Sequence, residues 1–286
     1  MDLRARLVVE GFFAGLHRSP YHGFSVEFAE HRQYMPGDPV RAIDWKLFAK
    51  SDRYFVKEFE EETNLRAYLL LDVSASMWKA PKAPGAAETL DKLTYASYLA
   101  AALSYLMLRQ NDAVGLLTFD DAIRRFLPPR SIRRHLVALY DALEDAPSDR
   151  ETSIAPVLNE LAERVRRRGL VILFSDLHDP DIDAVTAALA HFRHRKHEVL
   201  VFHILDPSEL DFPYQRESRF IDVETGDTLD VRPDIIRAEY LEAVARWRKR
   251  LQDHCREHRI DYIPLDTRTP YDVALLAYLQ KRSRLF

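Results

Sequence analysis

Cysteine is almost missing from this chain: Cys255 stands alone, so no internal disulfide can form and a reducing compartment is the natural setting. Glycine is scarce as well, with 8 in 286 residues, and none of them builds a Gly-x-Gly-x-x-Gly turn or a Walker-type loop. Nucleotide sites that cradle phosphate in those ways are excluded. No nucleophile elbow occurs and no serine has an obvious histidine base, which leaves acyl transfer unsupported. Long apolar runs are also lacking. Nothing approaches the roughly 18 consecutive apolar residues that a membrane-spanning helix needs. The first twenty residues do not follow a signal-peptide plan, because Glu10 breaks a short apolar stretch and no small-residue cleavage site follows. Nor is there a strong excess of charge of one sign: 41 Lys and Arg face 45 Asp and Glu, a net charge of −4. A global attraction to nucleic acid or anionic lipid is absent. The expectation is a soluble, cytoplasmic protein that binds neither membrane nor nucleic acid.

What is present describes an ordinary globular chain, 47% hydrophobic and 30% charged, long enough to bury a full core. Residues 1–64 read as a small N-terminal subdomain of short elements and turn residues. Pro36-Gly37 suits the middle of a type II turn, and Asp38-Pro39 then suits an N-cap and first helical residue, with Val40, Ile43 and Leu47 along one helical face. Tyr54 to Phe59 alternates as a strand. Arg41, Asp44, Trp45 and Lys46 are expected to pack as an anchor with a half-buried Trp.

Residues 65–286 show a βαβ rhythm. Apolar strand candidates lie at 66–71, 113–119, 170–175, 198–205 and 260–264, and helical spacing occupies 88–109, 131–144, 153–167, 181–195, 234–257 and 270–281. Strands apolar throughout, such as Leu170-Val171-Ile172-Leu173-Phe174, belong where helices cover both faces of a mostly parallel sheet. The expected fold is α/β and doubly wound, with helices on both faces. Residues 113–127 should form an antiparallel hairpin at a sheet edge, and residues 219–231 a second, with Glu224-Thr225-Gly226-Asp227 as its turn. The loop from Lys79 to Ala86 should be able to move.

The densest chemistry follows the apolar run Leu65 to Leu71. Asp72-Val73-Ser74-Ala75-Ser76 puts one carboxylate and two hydroxyls at a strand tip, and hard oxygens on alternate residues suit a small hard cation that keeps several waters. In an open parallel sheet, ligands sit at the carboxyl ends of strands. Asp176 ends the strand 170–175, Thr152 precedes the helix starting near Ser153, and Asp120-Asp121 closes the edge hairpin.

Asp72, Ser74, Ser76, Thr152 and Asp176, in that order on an α/β chain, resemble the metal-ion-dependent adhesion site of von Willebrand factor A-type domains. The resemblance implies Mg²⁺, Mn²⁺ or Ca²⁺ touched by the hydroxyls of Ser74, Ser76 and Thr152. Asp72 and Asp176 would act largely through bound water, and a partner's carboxylate would complete the shell. Glu151 and Leu177 stand where many such domains carry glycine. The stretch Arg32 to Lys46, with Phe55-Val56-Lys57-Glu58-Phe59, Asn111 to Leu116 and Asp206-Pro207-Ser208-Glu209-Leu210, is similar to the bacterial family called domain of unknown function 58. That resemblance implies a partner, a MoxR-type AAA+ ATPase, and an adaptor role in complex maturation.

Other clusters have plainer explanations. Asp179-Pro180 fits an N-cap and first helical residue, with Asp181 and Asp183 at the positive helix start. His191, His194 and His197 lie among Arg193, Arg195 and Lys196 at a basic helix end. His254, Cys255 and His258 lack a fourth donor with zinc-like spacing. The run of arginines at 164–168 also ends a helix. The resulting expectation is a non-enzymatic interaction module. Its alternatives are a metal-dependent phosphoester hydrolase using Asp72, Asp176 and Asp120 or Asp121, and a metal-free scaffold.

Overall fold

The computed structural model describes residues 25–35, 38, 43–62, 65–79, 90–146 and 152–283. The chain divides into two compact units, one of them Ser19–Leu65 and the other containing Arg66–Phe286.

In the smaller unit, strands β1 (Ser25–Gln33) and β2 (Phe55–Glu62) pair antiparallel, with an irregularity between Phe28 and Glu30. β2 runs on through the acidic residues 60–62, where the alternating pattern had ended. Between the strands lies α1 (Trp45–Ser51). Its N-cap is Asp44, whose Oδ1 accepts from the Lys46 and Leu47 amides at 2.9 and 3.2 Å, so the helix begins six residues after the expected cap Asp38. The reason lies in Ile43, which is drawn into an antiparallel bridge with Val56 and is therefore extended. Asp38 instead accepts from the Met35 amide and donates its own N–H to the Met35 carbonyl, closing a turn. Trp45 is 55% exposed, which corrects the half-buried anchor. Pro36, Gly37, Pro39, Val40 and Arg41 lie outside the described residues, as does most of the loop from Lys79 to Ala86.

The larger unit is mixed α/β around one six-stranded sheet. Its strands are β3 (Arg66–Asp72), β4 (Ala113–Phe119), β5 (Ile123–Arg130), β6 (Leu170–Ser175), β7 (Glu198–Leu205) and β10 (Asp261–Asp266). They run in the order β10-β7-β6-β3-β4-β5, all parallel except the edge strand β5. Helices flank both faces: α3 (Lys92–Arg109), α4 (His135–Glu144) and α9 (Tyr271–Ser283) pack together on one, and α5 (Ile154–Arg164), α6 (Ile182–His194) and α8 (Pro233–Glu257) on the other. The side-chain period of two divides each strand between these layers. Tyr68 and Leu70 of β3 join Leu158, Leu161, Val185 and Leu189, in one core with Val171, Leu173 and the buried Cys255.

Two short pieces complete the unit. The four-residue α2 (Ala75–Trp78) follows β3 directly, and α7 (Pro207–Asp211) follows β7. After α7 comes the antiparallel hairpin of β8 (Ser218–Ile221) and β9 (Thr228–Val231). Among the described residues no helix is long and apolar enough to cross a membrane.

Helix starts moved where caps competed. α6 is capped by Asp181, whose Oδ1 accepts from the Ala184 amide at 2.9 Å, and not by Asp179. Asp179 accepts from the Asp181 amide and, at 2.9 Å, from the Ile154 amide at the start of α5. It therefore caps a helix from a different segment. α5 ends at Arg164, before the rest of the arginine run.

Candidate metal centre

β3 lies between β4 and β6, the point where the chain's winding across the sheet reverses. Such a switch point opens a crevice beyond the carboxyl ends of the strands, and Asp72 is the last residue of β3. Its carboxylate is fully buried. Oδ1 accepts from the Ser74 amide at 3.1 Å and the Ser74 hydroxyl at 2.7 Å, and Oδ2 accepts from Ser175 Oγ at 2.7 Å. Ser76 Oγ lies 3.1 Å from Ser74 Oγ. Because Ser74 gives its proton to Asp72, Ser76 is the donor of that pair. Burial first, then the neighbouring charge of Asp176, pushes the Asp72 carboxyl up to about 7.

Asp176 is also fully buried, one residue past the end of β6. Its Oδ2 accepts from Lys92 Nζ at 2.7 Å, and Oδ1 accepts from the His178 amide at 3.2 Å. Lys92 is only 1% exposed and reaches Glu209 as well. The other oxygen of Glu209 accepts from the Asp206 amide at 2.8 Å and so completes the capping box of α7. The Asp206-Pro207-Ser208-Glu209 motif thus ends in a carboxylate that serves helix and site together. Burial would raise Asp176, but Lys92 and then His178 hold its carboxyl well below the usual range. Burial would likewise lower His178, yet the Asp176 charge raises it.

The carbonyl of Asp176 is fixed from behind. His203 Nε2 lies 2.9 Å from it, and His203 Nδ1 contacts the Tyr262 hydroxyl. Burial holds His203 down to about 3, so the ring is neutral, with Nε2–H as donor and Nδ1 accepting from Tyr262. Trp247 packs on both histidines, with ring centroids 5.3 Å from His178 and 4.9 Å from His203. Leu177 adopts φ 55 with its side chain fully buried. That left-handed conformation favours glycine, and the apolar side chain holds it in place here. Glu151, the other departure from glycine, lies outside the described residues.

Thr152 comes to the same place through a third party. Its amide donates to Glu224 Oε2 at 3.0 Å and its hydroxyl to Glu224 Oε1 at 2.9 Å, while the Ser76 amide lies 3.4 Å from Oε1. Ser153, not Thr152, occupies the N-cap position of α5. Of the five residues expected at a cation site, Ser76 and Thr152 border one crevice together with Glu209 and Glu224, while Asp72, Ser74 and Asp176 are fully buried, with Ser175 and Lys92 among their partners. A cavity of about 590 Å³ opens beside it, lined by Ser76, Thr152, Glu224 and the rings of Phe212, Phe220 and Tyr240.

The donor set fits a small hard cation. The hydroxyl-bearing Ser76 and Thr152 and the Glu224 carboxylate line the crevice, the buried Ser74 hydroxyl lies 3.1 Å from Ser76 Oγ, and the two buried aspartates lie behind Ser74 and at the Lys92 ammonium. Asp120 does not join them. It is fully buried, but its carboxylate accepts from Arg124 Nε at 2.7 and 2.6 Å and from the Ala122 amide at 3.1 Å. Cys255 is in the core with its thiol pushed up to about 12 by burial, and it is not part of the cluster formed by the half-buried His254 and His258 with the exposed Glu257.

Comparison with known proteins agrees with this architecture. An uncharacterised protein of Mycobacterium tuberculosis is 26% identical over 257 residues, 87% of this chain and 77% of its own length, and an uncharacterised protein of Mycobacterium bovis matches equally well. Among solved structures, an aerotolerance-related membrane protein from Bacteroides fragilis superimposes with a TM-score of 0.52 at 19% identity, covering 77% of this chain and 99% of that one. This likeness is one of fold. BatB from Bacteroides thetaiotaomicron gives a TM-score of 0.47 at 18% identity, covering 77% and 98%. Residues 30–250 match the family described as protein of unknown function DUF58, and the chain belongs to that family.

Proposed function

We propose that the larger unit is a von Willebrand factor A-type interaction module whose divalent cation captures an acidic side chain of a protein partner. Ser74, Ser76 and Thr152 would touch the cation, with Asp72 and Asp176 behind them. The observation that carries the reading is the hydrogen-bonded run Asp72, Ser74 and Ser76, whose last member meets Thr152 at the Glu224 carboxylate. Two carboxylates held back from direct contact leave a cation under-neutralised, so it attracts a further acid. The cation is Mg²⁺, Mn²⁺ or Ca²⁺, and the activity is recognition without turnover. The partner, from the family resemblance, is a MoxR-type AAA+ ATPase met in the cytoplasm, with this chain as its adaptor. A pull-down from native cytosol tests both parts: the wild-type chain retains an ATPase in Mg²⁺, and Asp72→Ala or a chelator releases it. Equal recovery with Asp72→Ala would overturn the reading.

One observation favours a second reading, a metal-free scaffold. Lys92 already places an ammonium between Asp176 and Glu209. If that charge were sufficient, the site would be a built-in ion pair and the chain would not respond to Mn²⁺ in a calorimetric titration.

A further inference from the structure

The turn between β8 and β9 sends one side chain back to the sheet edge. Glu224, from the far end of the chain, accepts from the Thr152 hydroxyl and amide at 2.9 and 3.0 Å, with the Ser76 amide 3.4 Å away. We propose that Glu224 is the site's own acidic ligand: it takes, within the chain, the place where a partner's carboxylate would meet the cation. A partner must then displace the β8–β9 turn to bind. The inference rests on the reading of the crevice as a cation centre.

The hairpin does not need this carboxylate to fold. Its turn is closed by Asp222, whose Oδ1 accepts from the Glu224 and Thr225 amides at 2.8 and 3.1 Å, and by Gly226 at φ 78, where a side chain would be strained. Its body is held by aromatic packing: Phe212 stacks on Phe220 at 5.7 Å and meets Tyr240 at 4.5 Å. The Glu224 carboxylate extends beyond both. Its hydrogen-bond partners among the described residues are two amides and a hydroxyl, while the ammonium of Lys92 serves Asp176 and Glu209. A half-buried anion among neutral donors, beside hydroxyls suited to a hard cation, is placed to bind one.

The arrangement also narrows the partner. A tethered carboxylate competes at an effective concentration in the millimolar range or above, so a lone external carboxylate would displace it poorly. A partner needs additional surface, and the cavity beside the site offers aromatic walls at Phe212, Phe220 and Tyr240. The fitting ligand is a protein segment with an acidic side chain next to an apolar one.

The test is a calorimetric Mn²⁺ titration of the full chain as wild type, Glu224→Ala, Glu224→Asp and Asp72→Ala. Removing a ligand should weaken Mn²⁺ by at least the roughly 10- to 100-fold that losing a supporting residue costs. Glu224→Ala should show that loss, and millimolar acetate should restore its affinity while leaving the wild type unchanged. Glu224→Asp keeps the charge but is one methylene short, and should lose affinity too. If Asp72→Ala abolishes binding while Glu224→Ala binds like wild type, the cation centre stands and the internal ligand is overturned. Weakened binding that acetate does not restore overturns it as well, because Glu224 would then act only on the hairpin's shape. A wild type without Mn²⁺ affinity, or an Asp72→Ala variant that matches it, overturns both. Should Glu224→Ala unfold in the assay, Glu224→Gln keeps an oxygen acceptor for Thr152 and must show the same loss.

Discussion

Two fully buried aspartates end adjacent strands and are treated in opposite ways. Asp120 follows β4 and has the Arg124 guanidinium on its carboxylate. Asp72 ends β3, beside Phe119 in register, and its partners are two serine hydroxyls and an amide. Burying a carboxylate is costly unless a charge or several hydrogen bonds compensate it. Asp120 is compensated within its own hairpin and has a structural role. Among the described residues Asp72 is compensated by neutral donors and shares its surroundings with Asp176, an arrangement on which the proposed cation reading rests.

The largest expected effect separates the pair directly. Asp72→Ala should lower Mn²⁺ affinity by more than about 100-fold, since it removes both a charge and the acceptor that orients Ser74. Asp120→Asn should leave Mn²⁺ affinity within a few-fold while lowering unfolding free energy by about 2–4 kcal/mol. That is about 1 kcal/mol below the range of roughly 3–5 kcal/mol for breaking a fully buried pair, because Arg124 is 32% exposed. Calorimetry and urea denaturation read the two quantities, and the opposite assignment would break the comparison.

Lys92→Met probes the intermediate case. It leaves Asp176 and Glu209 without their ammonium and should destabilise the metal-free chain by about 3–5 kcal/mol. Mn²⁺ should then raise its melting temperature more than it raises that of the wild type. A variant that Mn²⁺ leaves unchanged would favour the metal-free scaffold.

A smaller effect belongs to the opposite end of the same strands. Gly169 precedes β6, and a Cβ there would collide with the Arg66 carbonyl oxygen. Gly169→Ala should cost about 1–3 kcal/mol in urea while the folded fraction keeps its Mn²⁺ affinity, which shows that sheet stability and site chemistry are separable.

The smallest concerns the acid background. Burial holds the His197 imidazole below its usual range, so it is neutral in the fold. Below about pH 6.5 the unfolded chain binds the extra proton, so stability is fully present above that pH and falls as pH drops towards the folded value. His197→Gln should flatten the decline between pH 7 and 5 by at most about 1.4 kcal/mol per pH unit, measured as denaturation midpoints.

The strands from β3 onward were legible because their apolar runs are continuous and bounded by polar residues. β1 was not, since Ser25–Gln33 mixes charged and polar residues with few apolar ones and so lacks a continuous apolar run. Asp72 and Asp176 stood out because they come at strand ends and Thr152 because it precedes a helix, and their grouping with Ser74 and Ser76 came from the resemblance to the adhesion-site motif. Glu224 did not stand out: in the sequence it is one residue of a turn, and only tertiary folding brings it to Thr152, 72 residues away. Lys92 is similarly hidden, as a lysine in the first turn of a helix usually faces water. Asp38 reads as the cap and Asp44 as part of a packing anchor, and what moves the cap to Asp44 is Ile43 pairing with Val56.

Trp247 sits against the rings of His178, whose backbone amide donates to Asp176 Oδ1, and His203, whose Nε2 donates to the Asp176 carbonyl. The other two tryptophans lie in short helices, Trp45 in α1 and Trp78 at the end of α2, two residues after Ser76. The protein thus has an indole fluorophore packed on the supports of its own crevice. Its emission would record occupation of that crevice without a label, once Trp45 and Trp78 are replaced by phenylalanine.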